Sequence, residues 1–407
     1  MKHMSPWQFT FFRVILGSYL AVHFLHLIPW SGELFGAGGI LGDPALNPAH
    51  GLFPNPLNLP LSNTTISVFM GMMSVAAVLL AAGYRRKIAA VVLWFGFSAL
   101  FHRNNLISNP SIPYVGLVLI LTLLVPGGEP WSRGERNENW AMPLWVYRTA
   151  WILMAVGYSF SGFTKLASPS WMDGSAMHAL LENPLARPGW MRDLLLAMPD
   201  PFLKAMTWGT VAIELLFVPL ALWGRSRPWV WLALVLMHLG IILVVDFADL
   251  SLGMLMIHLF TFDPAWLKPR EKKVRTVAFD GECLMCSRSI RFLAKEDREE
   301  LLRFTPLQGD IGRKIQGKAG EEAGARELKS MLVDTGSKVL DRSSAVLEIL
   351  RMLGGHWRVL AWVGWLVPSL IRNAAYDYVA RRRQLWTGGG GTACALPCEE
   401  LEKRLLM

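Results

Sequence analysis

From Trp7 to about residue 265 the chain alternates long apolar runs with short polar breaks, and the runs are long rather than one-sided. A bilayer-crossing helix needs about 20 mostly apolar residues, and that template fits roughly eight times before residue 265. Spans are predicted to begin near Trp7, Asn63, Ile88, Ile112, Pro143, Thr207, Pro228 and Leu250, the fourth and eighth being short. Between Leu166 and Met206, breakers such as "NPLARPGW" and "MPDPF" make the chain too polar to span, so short surface helices are expected there.

After a basic linker, "KPREKKVR" at 268 to 275, the pattern changes to short β-rich runs and amphipathic helices. "VRTVAF" reads as a strand, Asp280-Gly281 as a turn, and Ile290 and Leu293 as the inner face of a helix. "LRFTPLQ" and "SMLVD" read as further strands, and "SSAVLEILRML" as a helix with a Ser cap. "HWRVLAWVGWLVPSLIRNAAYDYVARRRQLW" is amphipathic, Trp-rich and basic at its end; lying on a membrane leaflet and packing within the domain both remain open. The expected architecture is a polytopic α-helical membrane bundle over 1–267 followed by an α/β domain over 268–407.

Composition agrees with a membrane-embedded first part. The chain has 407 residues, 53% hydrophobic and 17% charged, with 18 Trp and 19 Met, which excludes an ordinary soluble protein of this size. Residues 1–267 hold 15 Lys and Arg against 13 Asp and Glu, whereas 268–407 hold 25 against 18. Lys and Arg cluster at 85–87, at Arg133 and Arg136, at Arg225 and Arg227, and at 268–275, at alternate ends of the predicted spans. Both termini are therefore expected in the cytoplasm, with Asn104–Asn109, Lys165–Lys204 and Asp246–Asp249 toward the outer face. The N-terminal apolar run lacks a small-residue cleavage site after it and reads as a retained span.

All four cysteines, Cys283, Cys286, Cys394 and Cys398, lie in the second part. In "DGECLMC" the pair Cys283 and Cys286 stands where a strand runs into a helix. A helix N-terminus favours the thiolate of the first cysteine, and the second is near enough to resolve a mixed disulfide. The alternatives are a structural zinc site formed with Cys394 and Cys398, and buried unreactive thiols. In the first part, ionisable residues near the membrane are the functional suspects: Arg13, His23, His26, His102, Arg148, Lys165, Asp173, His178, Glu214, His238, Asp246, Asp249 and His258. Arg13 and Arg148 are expected to snorkel, Asp246 and Asp249 to cap a turn, and His23 and His26, on one helix face without nearby carboxylates, to pack or make a hydrogen bond rather than bind a metal. Glu214 lies mid-span and must be protonated or paired with a base, and His238 is similarly deep. Lys165 closes the fifth span, where snorkelling and a role as a base are both open.

"FDGECLMCSRSIRFLAKED", "LRFTPLQ", "DRSSAVLEILRMLGG", "YDYVARRRQLW" and "CALPC" together resemble the DCC family of thiol-disulfide oxidoreductases, over residues 274 to about 400. The resemblance implies a thioredoxin-like fold and assigns Asp280, Cys283 and Cys286 to the redox site; the Cys-Leu-Met-Cys pair lacks the Gly-Pro of thioredoxins proper. "YSFSGFTKLASPSWMDGSAM", "NPSIPYVGLVL" and "MHLGIILVVDFADLSLGMLMIHLFTF" resemble the vitamin K-dependent γ-carboxylase superfamily, whose bacterial members are called HTTM proteins. That resemblance implies a bacterial inner-membrane protein in which Lys165 deprotonates a reduced quinone of the vitamin K hydroquinone type. Gly162, Trp171, Asp173 and Gly174 would then shape the pocket and His238 would match a family histidine. The carboxylase uses a histidine in the stretch matching "SNPSIPY"; here Asn104, Asn105 and Asn109 are the nearest polar substitutes.

The expected function is thus a membrane-bound oxidoreductase that joins a quinol site to a C-x-x-C exchange domain and modifies a peptide or small molecule. Its partners are membrane lipid, a lipid-soluble quinone or small molecule, and a thiol or peptide partner, with no nucleic acid and no resident metal. Two other readings stand beside it: a dithiol enzyme whose bundle is only an anchor or partner platform, and a non-enzymatic export accessory.

Overall fold

The computed structural model describes residues 4–107, 109–269, 273–281, 284–323, 331–387 and 399–406. The chain divides into two compact units, Met1–Phe262 and Asp263–Met407.

The first unit is helical. Its principal helices are α1 (Pro6–Leu27), α2 (Asn63–Ala82), α3 (Arg86–Arg103), α4 (Ser111–Leu124), α5 (Leu144–Lys165), α6 (Asp200–Leu215), α7 (Arg227–Val244) and α8 (Ala248–Thr261). A helix overlaps each predicted span, but the sixth, expected from Thr207, is divided: α6 begins earlier, at Asp200, and beyond a break at Leu216 the short helix Phe217–Leu222 follows. Among the described residues, three are long and apolar enough to cross a membrane, α1, α2 and α7; α4 and α8 are apolar but shorter. Local chemistry sets the boundaries. Pro6 opens α1 behind Ser5, whose hydroxyl accepts the Gln8 N–H at 3.1 Å. Ser62 caps α2 in the same way, and Gly83 ends it in the left-handed conformation. Many outward side chains are apolar, as in α2, where Val68, Met72, Val75 and Val78 are all more than half exposed. A soluble bundle would place polar residues there, whereas lipid accepts these.

Between α5 and α6 the chain forms the short helices Pro169–Met172, Ala176–Glu182 and Trp190–Leu196. Leu181 and Leu203 make a small separate core with Val244 and Val245 at the end of α7. At the opposite end of α7's neighbours, one expectation needs correcting. Arg13 does not snorkel: its side chain is fully buried and its Nε lies 3.2 Å from Glu129, which also takes Arg86 Nε at 3.1 Å. Both guanidinium groups also donate to carbonyls where helices end, Arg13 to Leu80 and Ala81 and Arg86 to Thr122, Val125 and Pro126. A charge this deep stays only if its donors are spent, and here they are used on a carboxylate and on exposed helix carbonyls.

The second unit holds a four-stranded mixed sheet of β1 (Arg275–Phe279), β2 (Leu302–Pro306), β3 (Leu332–Asp334) and β4 (Val339–Asp341), in the order β2-β1-β3-β4. β1 and β2 are parallel, joined by α9 (Leu284–Glu296), and β3 runs antiparallel to both β1 and β4. The strand run predicted from "VRTVAF" is β1, and its central position on the sheet explains why Val277, Ala278 and Phe279 are all buried. A helix, α10 (Asp310–Ala323), occupies the charged stretch where sequence reading placed no element, and β4 was also missed. The helix α11 (Arg342–Leu353) begins before Ser343, with Asp341 rather than a serine at the cap position, and Ser343 instead bonds to Asn373. Two further helices, α12 (Gly355–Leu366) and α13 (Ser369–Thr387), follow.

Candidate functional site

The last two turns of α5 carry Tyr158, Ser161, Gly162 and Lys165. Residues three and four apart share a helix face, so Ser161 stands one turn below Lys165, and its hydroxyl takes a hydrogen bond from Nζ at 2.7 Å. Gly162 lets α6 approach: a β-carbon there would lie 2.8 Å from Leu215 Cα and 2.9 Å from Glu214 C, and would also strike the Leu215 nitrogen. That close crossing brings Glu214 to Lys165, with Nζ 2.5 Å from Oε2. The basic partner required by a mid-span glutamate is therefore Lys165, at 17% and 6% side-chain exposure for lysine and glutamate. The Trp171 ring completes the cluster, its centroid 5.0 Å from Nζ.

Asp173 and Gly174 belong to the turn beyond it. The Asp173 carboxylate accepts the Ser175 N–H at 2.8 Å, and Gly174 adopts φ +86° against the side chains of Lys204 and Trp208. They shape the turn that carries Trp171, whose neighbour Met172 accepts a hydrogen bond from the Trp208 indole at 3.1 Å.

Two other predicted residues fall in separate clusters. His238 is buried with the Tyr158 hydroxyl 2.7 Å from its Nε2, and the same hydroxyl lies 2.8 Å from His258 Nε2, so one phenol joins two imidazoles. Ser251 Oγ is 3.2 Å from the other His238 nitrogen. Asn109 is buried at the start of α4, where its carbonyl oxygen accepts the Ser111 N–H and hydroxyl, while its amide donates to Asp249 at 3.4 Å. Asp249 also accepts from Tyr19 at 2.7 Å and from His23 Nδ1 at 2.9 Å. This corrects one expectation, since Asp249 is no mere turn cap, and it gives His23 the hydrogen bond left open to it, with a carboxylate that local sequence did not show, supplied from 226 residues away. Tyr19, His23, Asn109 and Asp249 line a largely apolar cavity of about 890 Å³ between α1, α3 and α8, whose other polar lining residues are Ser18, His26, Asn104 and Asp246 and which includes neither Lys165 nor Glu214.

Sequence reading missed Tyr158 and Glu129. Tyr158 lies in the same segment as Lys165, two turns before it on the same face, and only the partners on α7 and α8 reveal its use. Glu129 sits in a Gly- and Pro-containing loop, "PGGEP", that gives no hint of burial.

In the second unit, β1 ends at Phe279 and the turn after it is held by Gln308, which donates to Asp280 at 3.1 Å and accepts the Gly281 N–H at 3.2 Å. Cys286 lies in the first turn of α9 and is buried within the core that includes Val277, Phe279 and Ile290. Cys283, Cys394 and Cys398 lie outside the described residues, and so do the pairings and the zinc alternative that involve them. A basic cavity of about 930 Å³ lies elsewhere in this unit, with Arg275, Lys338, Arg351 and Arg358 among its lining and without Cys286.

Comparison with known proteins follows the same division. Residues 4–266 match the model of the HTTM domain, and residues 277–389 match that of the DCC1-like thiol-disulfide oxidoreductase. The uncharacterized protein YuxK of Bacillus subtilis is 30% identical over 132 residues, covering 32% of this chain and 93% of YuxK. A chloroplastic DCC family protein of Arabidopsis thaliana is 27% identical over 118 residues, 29% of this chain and 67% of that protein. The uncharacterized protein YitO of Bacillus subtilis is 25% identical over 251 residues, 55% of this chain and 80% of YitO. No solved structure matches the chain. The chain belongs to the HTTM domain family, and behind its membrane unit it carries a DCC1-like thiol-disulfide oxidoreductase domain.

Proposed function

We propose that the protein is a membrane-bound oxidoreductase with two centres: a site in the helical unit that deprotonates a lipid-soluble hydroxylated substrate of the reduced-quinone type, and a dithiol at Cys283 and Cys286. The observation that carries the first centre is the Lys165–Glu214 contact at 2.5 Å in a unit of lipid-facing helices. The contact gives an ammonium proton a path to Glu214: with that proton passed on, the amine is free to take one from a substrate hydroxyl, and the ammonium so formed then holds the oxyanion. Ser161 and the Trp171 ring fix Nζ in place and stabilise its charged state. A reduced quinone would supply the hydroxyl, with molecular oxygen as the acceptor of its two electrons.

The cavity favours a second reading of the same chemistry. Its apolar wall suits a lipid-soluble molecule, and Asp249 holds His23 in the orientation that makes an imidazole a base. In that reading the proton acceptor is His23, and Lys165 with Glu214 locks α5 to α6.

The second centre reduces a partner disulfide by exchange: two thiols become one disulfide, and two electrons and two protons pass to the partner. The strand-helix-strand order β1-α9-β2 with antiparallel β3 and β4 supports a thioredoxin-like domain, with Cys286 in the first turn of the helix. We further read all eight helices as crossings with both termini in the cytoplasm of a bacterial inner membrane. The Arg133 N–H bonded to the Gly83 carbonyl at 3.2 Å, which gathers two basic loops at one end of the bundle, supports this topology.

Full-length protein in lipid nanodiscs tests the reading. Lys165→Ala is expected to lower quinol-dependent oxygen consumption by about 10²-fold or more, and Asp249→Asn by less than about tenfold. The reverse ranking moves the base to His23, and indifference to both variants leaves the bundle an anchor. Cys283→Ser is expected to abolish reduction of a protein disulfide, and retained reduction removes the dithiol from the mechanism.

A further inference from the structure

The second unit exposes apolar surface in one place. Apart from Val274, every exposed large apolar side chain among its described residues lies between Val359 and Val379, on α12, α13 and the turn joining them. Leu366 is 84% exposed, Leu370 82% and Ile371 59%, with Trp362 and Trp365 close to half exposed. The other face of α12 is committed to the unit: Trp357 and Ala361 are buried, and Gly364 packs on Leu347. Water-soluble domains rarely leave a contiguous apolar patch of this kind uncovered.

The charges around the patch name what covers it. Arg358, Arg381 and Arg382 stand on these two helices, whose one acidic residue is Asp377. Arg358 lies 5.4 Å over the Trp362 ring, so a cation and an indole are presented together, the pairing that suits the headgroup level of a bilayer. The cavity that opens beside Trp362 and Trp365 is also lined by Lys273 and Lys338, which offer cationic groups for a phosphate next to the apolar face, while Arg275 and Arg351 there are bonded to Glu348. The unit follows in sequence on a helical unit that holds three helices of membrane length, so the same chain brings a bilayer within its reach.

We propose that α12 and α13 form a membrane-docking face: Trp362, Trp365, Leu366 and Leu370 enter the acyl region of the leaflet that faces this unit, and the arginines bind the phosphates of anionic phospholipid. Docking holds the dithiol domain at a fixed depth beside the bilayer, whatever reaction the bundle performs.

A photoreactive benzophenone amino acid placed at Leu366, at Leu370 and, as an aqueous control, at the exposed Lys314 on α10 identifies the occupant in the full-length chain. In nanodiscs containing phosphatidylglycerol, mass spectrometry is expected to find acyl-chain adducts at positions 366 and 370 and none at 314. Replacing the anionic lipid by phosphatidylcholine alone, or making the double variant Arg381→Glu and Arg382→Glu, is expected to reduce the adduct yield by about fivefold or more, with the thermal midpoint unchanged. Crosslinks from 366 and 370 to peptides of residues 4–262, to a second copy or to another protein overturn the proposal. Absence of lipid adducts at both positions overturns it equally. Yields indifferent to lipid charge and to the arginines overturn the phosphate assignment.

Discussion

Gly162→Ala adds one methyl group at the tightest point between α5 and α6. The new β-carbon would stand 2.8 Å from Leu215 Cα and 2.9 Å from Glu214 C, both backbone atoms that no rotamer change can remove. Carbon atoms in good contact are about 3.5–4.0 Å apart, so the helices must part by roughly 0.7–1 Å. Overpacking of this order costs about 1–3 kcal/mol. Gly209, on α6 itself, provides the internal control, because a β-carbon there meets nothing within 4 Å. Gly209→Ala should stabilise the helix by about 0.5–1 kcal/mol through lower backbone entropy in the unfolded chain. The two substitutions are chemically identical and lie at one helix pair, yet they are expected to move the thermal midpoint of the detergent-solubilised protein in opposite directions. Separation of the helices also stretches the Lys165–Glu214 contact, so Gly162→Ala should lose part of whatever activity depends on Lys165, and Gly209→Ala none. Equal midpoints for the two variants, or a higher one for Gly162→Ala, would show that α5 and α6 do not cross at Gly162.

Three further outcomes are expected. Glu129→Gln leaves Arg13 and Arg86 buried without a counter-charge and should destabilise the helical unit by about 3–5 kcal/mol, whereas Glu135→Gln, in the exposed part of the same loop, should change the unfolding midpoint little. Tyr158→Phe removes the hydroxyl between His238 and His258 and should cost about 1–3 kcal/mol in the same assay; an unchanged midpoint would mean that water replaces the phenol without loss. In the second unit, burial, helped by the nearby Arg298 charge, lowers the His356 pKa from 6.5 to about 3. The folded state therefore keeps His356 neutral while the unfolded state takes up a proton below pH 6.5. Stability should fall with pH between 6.5 and about 3, at up to about 1.4 kcal/mol per pH unit from this group. His356→Phe should flatten that dependence, read as hydrogen-exchange protection of the β1 and β2 amides, and an equal slope in the variant refutes it.

How much of this was legible in the sequence depends on the range over which each feature is encoded. Helix and strand positions are local: apolar length marked α1 to α8, and β-branched and aromatic residues marked β1. The element hidden at 310–323 is local too, but its sequence, "DIGRKIQGKAGEEA", carries three glycines and many charges, and it is placed by Ile315 and Ala319 packing on Ala278 and Leu332, far away in the chain. The Lys165 segment could be singled out by its motif, and Glu214 by the cost of burying it. That these two are each other's partner could not be read, since 49 residues separate them and the crossing at Gly162 decides it. The same holds for His23, which looked unpartnered until α8 delivered Asp249. Polar residues in an apolar bundle announce that they need a partner without saying which one.

The Arg13–Glu129–Arg86 cluster also bears on the order in which the bundle is made. A ribosome releases Arg13 first, Arg86 next and Glu129 last, 116 residues after Arg13 (129 − 13). At roughly 5–20 residues per second, the first arginine exists for about 6–23 s before its carboxylate is synthesised. During that interval the cost of placing an uncompensated guanidinium in hydrocarbon keeps Arg13 and Arg86 at the headgroup boundary, and with them the ends of α1 and α3. Arrival of Glu129 is what lets the first three helices close on the loop that follows α4, so assembly of this half of the bundle waits on a single late acidic residue.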